Sequence, residues 1–233
     1  MSQPILIAGA SGGVGRQLVG KLTAQDQDVY ALVRDLELGQ KLFAGQACLH
    51  VFEGDARLPK TLPPALAGVR AVICTIRAKA PVGASGPEKI DYEGVRNLVD
   101  AARAAGIIRF ILVSSIAVTH PNHPFNNFGR ALDWKLRGEE ALRAADLNST
   151  IVRPGTLTDE SGGKTALKIA QGDQISAGKV SRSDLASICL AALDDISTYH
   201  TTFEVIADYG DPPKDLNALF AGLKTDRELT VSA

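Results

Sequence analysis

An α/β fold, with a doubly wound parallel sheet in one domain and a small C-terminal lobe, is the architecture expected of this chain on three grounds. Short apolar runs alternate with longer stretches of helical period from end to end, as strands do when crossover helices join them. The first run, Ile5-Leu6-Ile7-Ala8, flows straight into Gly9, Gly12 and Gly15 at three-residue spacing. The length of 233 residues, with 45% hydrophobic and 22% charged side chains, suits one substantial core.

The elements follow in order. Ile5–Ala8 is read as the first strand and Val14–Ala24 as the helix behind it. Between them, Gly9 lets the chain turn, Gly12 lets backbone approach a pyrophosphate, and Gly15 lets helix pack on strand. The helix N-terminus then offers free N–H groups to the anion. This Rossmann-type reading makes Gly9, Ser11, Gly12, Gly13, Val14 and Gly15 a dinucleotide-binding loop.

Further strands are expected at Asp28–Val33, Ala47–Phe52, Ala71–Ile76, Phe110–Ser114, Ser149–Val152 and Thr202–Ile206. Further helices are expected at Leu36–Ala44, Lys89–Ala105, Arg130–Ala145, Ser183–Leu193 and Leu216–Leu223. Gly106 stops the third of these six helices. Two irregular stretches, Pro81–Pro87 and Thr119–Asn127, are read as loops over the carboxyl end of the sheet, bordering the ligand crevice. The core is drawn at about residues 4–153 and 180–208, the lobe at about 154–180 and 210–225, with Thr225–Ala233 as a frayed tail.

Composition narrows the function classes. A net charge of −1 provides no broad basic field for nucleic acid or anionic membrane. The N-terminus has no basic region, and its apolar run is too short for a signal core or a membrane span, so a soluble cytoplasmic protein is expected. Cys48, Cys74 and Cys189 are scattered without paired spacing and are read as buried thiols, with no metal site.

Arg34 closes the second strand, where the adenosine ribose of a dinucleotide would lie. An arginine there pairs with a 2′-phosphate, which favours NADP(H) over NAD(H). Asp35 follows it and is either a ribose ligand or the N-cap of the next helix. Asp55 and Ala56 after the third strand suit an adenine pocket, with Asp55 either an acceptor for the adenine amine or a turn residue. Thr75 and Ile76 end the fourth strand beneath the cofactor.

The order of Gly9-x-x-Gly12-x-x-Gly15, Gly54-Asp55, Asp91–Leu98, Val113-Ser114-Ser115 and Val152-Arg153-Pro154-Gly155 resembles an atypical short-chain dehydrogenase/reductase of the NAD(P)-binding, NmrA-like kind. The resemblance covers residues 4 to about 208, including Ser181–Ala186 before the last core helix. The stretch Phe125–Gly155 is similar to the chloroplast NADP-binding redox-sensor branch associated with protein import.

The resemblance implies that Ser115 orients a substrate carbonyl and that Lys135 holds the nicotinamide ribose. It also implies that Arg153, Pro154 and Gly155 contact the nicotinamide side, with Ser114 a further cofactor-binding residue. Lys135 has a plainer alternative, an i,i+4 ion pair with Glu139. Ser115 has one as well, bonding backbone at its strand end. The family's catalytic tyrosine falls at Ala131, which carries no proton.

Two functions therefore stand side by side. One is an NADPH-dependent reductase of a quinone, flavin, tetrapyrrole or carbonyl compound, with His120 and His123 as proton sources or as solvated loop residues. The other is a redox-sensing binding protein with a protein partner. The substrate pocket is assembled from 77–87, 116–128 and 156–179. In it, Phe125 and Phe128 offer an apolar surface, and Arg77, Lys79 and Lys164 could meet an anion. Trp134 is read as packing, and the resemblance implies a monomer.

Overall fold

The computed structural model describes residues 3–231. Its strands, in chain order, are β1 (Ile5–Ala8), β2 (Val29–Val33), β3 (Leu49–Glu53), β4 (Ala71–Cys74), β5 (Arg109–Val113), β6 (Asn148–Pro154), β7 (Thr156–Thr158), β8 (Ala166–Ala170), β9 (Lys179–Ser181) and β10 (Thr201–Asp208). Eight of them form one sheet in the order β3-β2-β1-β4-β5-β6-β10-β8, and β7 pairs with β9 in a second. Every pairing is parallel except that of β8 with β10. The strand order reverses beside β1, which pairs with both β2 and β4, and a crevice opens past the carboxyl ends there.

The helices are α1 (Gly13–Thr23), α2 (Leu36–Leu42), α3 (Pro63–Leu66), α4 (Val95–Ala104), α5 (Ala131–Arg143), α6 (Arg182–Asp194) and α7 (Asp226–Val231). Strand period two splits the sheet's side chains between two cores. Ile5 and Ile7 pack with Val14 and Leu18 of α1 and Leu185 and Ile188 of α6. Leu6 and Ala8 face the opposite core with Leu98 and Val99 of α4 and Leu142 of α5. Because both faces are covered, β1, β4 and β5 are buried along their whole length, and they read as apolar runs, broken only by Arg109 at the start of β5.

All seven expected strands form, Ile5–Ala8 as expected and the other six with ends shifted by no more than two residues. The C-terminal third departs further from expectation. β7, β8 and β9 lie inside the expected lobe, and β8 extends the main sheet as an antiparallel edge, so much of that lobe is sheet rather than appendage. The expected helix at Leu216–Leu223 is only a 3-10 turn, Asn217–Phe220, ended by Ala221, which turns extended at ψ 119° ahead of Gly222 at φ 89°. Phe220 nevertheless anchors it, buried 5.6 Å from the Phe203 ring.

The expected frayed tail is likewise corrected. Asp226, which opens α7, accepts from Arg143 Nε at 2.8 Å and from Thr202 Oγ1 at 2.7 Å, so the tail is anchored at its start and continues as a helix to Val231. Its last two residues lie outside the described residues.

Candidate functional site

The glycine loop is held by its own backbone. Gly12 N donates to Gly9 O at 2.9 Å, and Gly9 adopts φ 85°, a conformation that L side chains rarely enter. A Cβ at Gly15 would stand 2.3 Å from Gly9 O, so this glycine is what brings α1 against β1. Gly12 caps α1 without a side-chain bond, which leaves the first N–H groups of the helix for a ligand.

A cleft of about 520 Å³ begins at this loop. Gly9, Ser11, Gly12, Gly13 and Val14 line its start, while Gly15 is set back as packing. Arg34, Asp55 and Ala56 line the end beyond β2 and β3. Thr75 and Ile76 follow β4, Ser114 and Ser115 follow β5, Pro154 and Gly155 follow β6, and Lys135 enters from α5. Sequence reasoning missed Arg16 and Arg182, which also line the cleft. A Cβ at Gly13 would lie 2.6 Å from Arg182 Cδ, so that arginine crosses the glycine loop from α6, a contact no local pattern records.

Several side chains have resolved roles. Asp35 caps α2, its Oδ1 accepting from Leu38 N at 2.9 Å. Arg34 is exposed at the cleft and makes no ion pair among the described residues. Asp55 accepts from Arg57 Nε at 2.9 Å and Arg57 N at 2.9 Å and pairs with Arg57 Nη2. Those bonds outweigh partial burial and hold its carboxyl below the ordinary value. Thr75 ties β4 to β1 by donating to Ala8 O at 3.1 Å. Ser114 Oγ, among the described residues, is the one buried side-chain polar atom with no hydrogen-bond partner.

Lys135 does not pair with Glu139. Its Nζ lies 2.9 Å from Oδ1 of Asp91, a carboxylate buried in the π-helical segment Glu88–Gly94, with Oδ2 accepting from Ala78 N at 3.3 Å. A Cβ at Gly138 would be 2.3 Å from Asp91 O, so that glycine lets α5 approach the segment closely enough for the pair to form. Glu139 is fully buried and taken instead by Arg143 and Arg153, at 2.8 and 2.7 Å.

Arg153 is thereby corrected. It lies within β6 and is turned to Glu139, with Asp173 and Glu204 at 3.9 and 4.0 Å, rather than along the cleft. Asp173 in turn accepts from Ala117 N at 2.7 Å and Thr119 N at 2.8 Å, which fixes the loop after Ser115.

A second cavity of about 500 Å³ shares Ser115 and Lys135 with the cleft and is otherwise lined by Pro124, Phe125, Asn127, Phe128, Ala131 and Leu132. Neither His120 nor His123 lines either cavity. His120 is exposed, and His123 Nδ1 accepts from Phe125 N at 3.3 Å, capping a 3-10 turn. Arg77 and Lys79 line the cleft, whereas Lys164 is exposed away from both cavities.

Trp134 stacks on Tyr92 at 6.0 Å, outside both cavities, as packing. Cys74 and Cys189 are buried, and burial pushes both thiols up to about 12; Cys48 is only half-buried. Among the described residues no three His, Cys, Asp or Glu gather as a metal site, and no helix is long and apolar enough to cross a membrane.

A family model described as NAD(P)H-binding matches residues 9–196, from the glycine loop to the end of α6. The chain belongs to the NAD(P)H-binding family. Family members similar to it include sanguinarine reductase of Eschscholzia californica, 29% identical over 95% of this chain and 96% of the relative. Protein TIC 62, chloroplastic, of Arabidopsis thaliana is 31% identical over 96% of this chain but 38% of its own length. Among solved structures, the anaerobilin reductase ChuY of Escherichia coli O157:H7 superposes with a TM-score of 0.75, at 28% identity, over 90% of this chain and all of the other.

The site fits the family's dinucleotide on its own geometry. Gly9, Gly12 and Gly13 present backbone to the cleft, the α1 N–H groups are uncapped, and Ser114, lining the same cleft, holds an unpaired hydroxyl.

Proposed function

We propose that this chain is an NADPH-dependent reductase of a small organic acceptor. The observation that carries the reading is the seam at Ser115 and Lys135, where the dinucleotide cleft opens into a second cavity. The bound cofactor supplies a hydride. In this reading the glycine loop and the α1 N-terminus hold its pyrophosphate, and Arg34 and Arg16 meet a 2′-phosphate through charge-assisted bonds worth about 1.5–3 kcal/mol. NADPH is favoured over NADH because Arg34 is unpaired while the Asp35 carboxylate is occupied as a helix cap.

Asp55 and Ala56 wall the adenine end of the cleft, the Asp55 carboxylate being occupied on both oxygens by Arg57. Lys135, steadied by Asp91, holds the nicotinamide ribose, and the Ser114 hydroxyl meets the nicotinamide side. Ser115 orients the acceptor. Ala131 carries no proton and neither loop histidine lines a cavity, so the acceptor takes its proton from water.

The test is NADPH absorbance with the full chain and a panel of quinones, flavins, tetrapyrroles and small carbonyl compounds. Loss above the protein-free rate is expected. Ala131 also favours a second reading, a redox-sensing NADP(H)-binding protein that acts through a protein partner. Bound NADPH with no loss against any acceptor would put that reading in place of the first.

A further inference from the structure

The cavity beside the dinucleotide cleft has a chemical character of its own. Apart from Ser115 and Lys135 at the seam, its walls are mostly apolar, with Phe125, Phe128, Ala131 and Leu132 among them. Phe125 and Phe128 are 48% and 43% exposed, large rings left in water on a loop that borders the recess. Such rings gain most from a flat partner that takes them out of water, through area and through ring-on-ring contact. At Ala131 a methyl group leaves open the space that a larger side chain would fill, one helical turn before Lys135.

The polar end of the recess adds a second constraint. Ser115 offers a hydroxyl and Lys135 an ammonium, both suited to an oxygen on which negative charge develops. Apart from the Lys135 ammonium, which is held by the buried Asp91 carboxylate, no side chain lining the recess is an acid placed to protonate that oxygen during the transfer. A simple aliphatic carbonyl, whose reduced oxygen is a strongly basic alkoxide, would forgo the roughly 10²–10⁴-fold contribution of a general acid. A conjugated dione would not, because its reduced oxyanion is delocalised.

We infer that the recess lined by Phe125, Phe128 and Ala131 is the acceptor site for a flat, fused-ring quinone, held against the two phenyl rings with one carbonyl oxygen at Ser115 and Lys135. The inference rests on the reductase reading. The quinone gains a hydride and its two electrons and becomes the hydroquinone monoanion, while NADPH is oxidised to NADP⁺. The monoanion then takes one proton from water to give the hydroquinone.

The experiment uses the full chain, with 1,4-naphthoquinone as probe, and has two readouts: calorimetric binding to the protein loaded with NADP⁺, and NADPH oxidation. Phe125→Ala/Phe128→Ala removes the rings at exposed loop positions, and Ala131→Tyr fills the recess. The double variant is expected to weaken naphthoquinone binding and raise its KM by about tenfold, the scale of aromatic contacts of this kind. Ala131→Tyr is expected to weaken binding as well, and NADP⁺ affinity is expected to stay unchanged in both. Unchanged naphthoquinone binding in both variants overturns the recess assignment and leaves the reductase reading standing. A higher kcat/KM for an aliphatic aldehyde than for naphthoquinone overturns the quinone class alone. Naphthoquinone bound in the recess with no NADPH oxidised overturns the reductase reading and the acceptor role together.

Discussion

Lys135 Nζ stands 2.9 Å from Asp91 Oδ1, across the junction between α5 and the π-helical segment before α4. The carboxylate is 3% exposed, while the lysine reaches the seam between the two cavities. The pair therefore ties a cleft residue to the body of the protein.

Lys135→Met removes the partner and leaves the Asp91 charge buried. Breaking a buried pair from one side costs about 3–5 kcal/mol, much of it the uncompensated charge. The double variant Lys135→Met/Asp91→Asn removes that charge and is expected to recover a large part of the loss. Urea unfolding of both variants checks this; equal losses would show that the pair is not coupled.

Arg34→Glu replaces the unpaired cation beside the adenosine end of the cleft with an anion. NADPH affinity is expected to fall by one to two decades, about the worth of a charge-assisted bond, with NADH affinity little changed. Fluorescence titration with both cofactors measures the two constants. Equal losses for both would remove the 2′-phosphate role.

Two glycines of α1 should respond oppositely to alanine. At Gly15 the added methyl would meet backbone atoms at 2.3 and 2.7 Å, so Gly15→Ala is expected to cost about 1–3 kcal/mol and to weaken NADPH binding. At Gly20 nothing lies within 4 Å, so Gly20→Ala should stabilise by about 0.4–1 kcal/mol through the unfolded chain. Thermal unfolding of the two variants decides both signs.

The Arg57 bonds that depress the Asp55 carboxyl also predict an acid limb. A native value below the unfolded one means that the unfolded chain binds the proton first. The stabilisation is then complete above about pH 4 and lost as pH falls through the native value. The stability difference between wild type and Asp55→Asn should accordingly shrink as pH falls from about 4 through the native value. A difference that stays constant over that range would refute the assignment.

The chain itself determined the sheet and the glycine loop. Ile5–Ala8, Ala71–Cys74 and Phe110–Val113 are covered on both faces, so their apolar runs announce strands without knowledge of their neighbours. Gly9, Gly12 and Gly15 do their work within a few residues of one another, and Asp35 caps the helix it begins. Local chemistry of this kind is written in local order.

Tertiary structure decided what depends on distant partners. Lys135 passed over Glu139, four residues away, for Asp91, because Gly138 lets two helices close and Arg153 and Arg143 already hold the glutamate. β8 is recognisable only through its pairing with Glu204–Asp208 of β10, and α7 is held by Arg143 and Thr202 from other elements. A charge inside a protein takes the partner that burial and packing leave available, and a short strand takes the edge that lies open. Neither choice is made until the chain has folded.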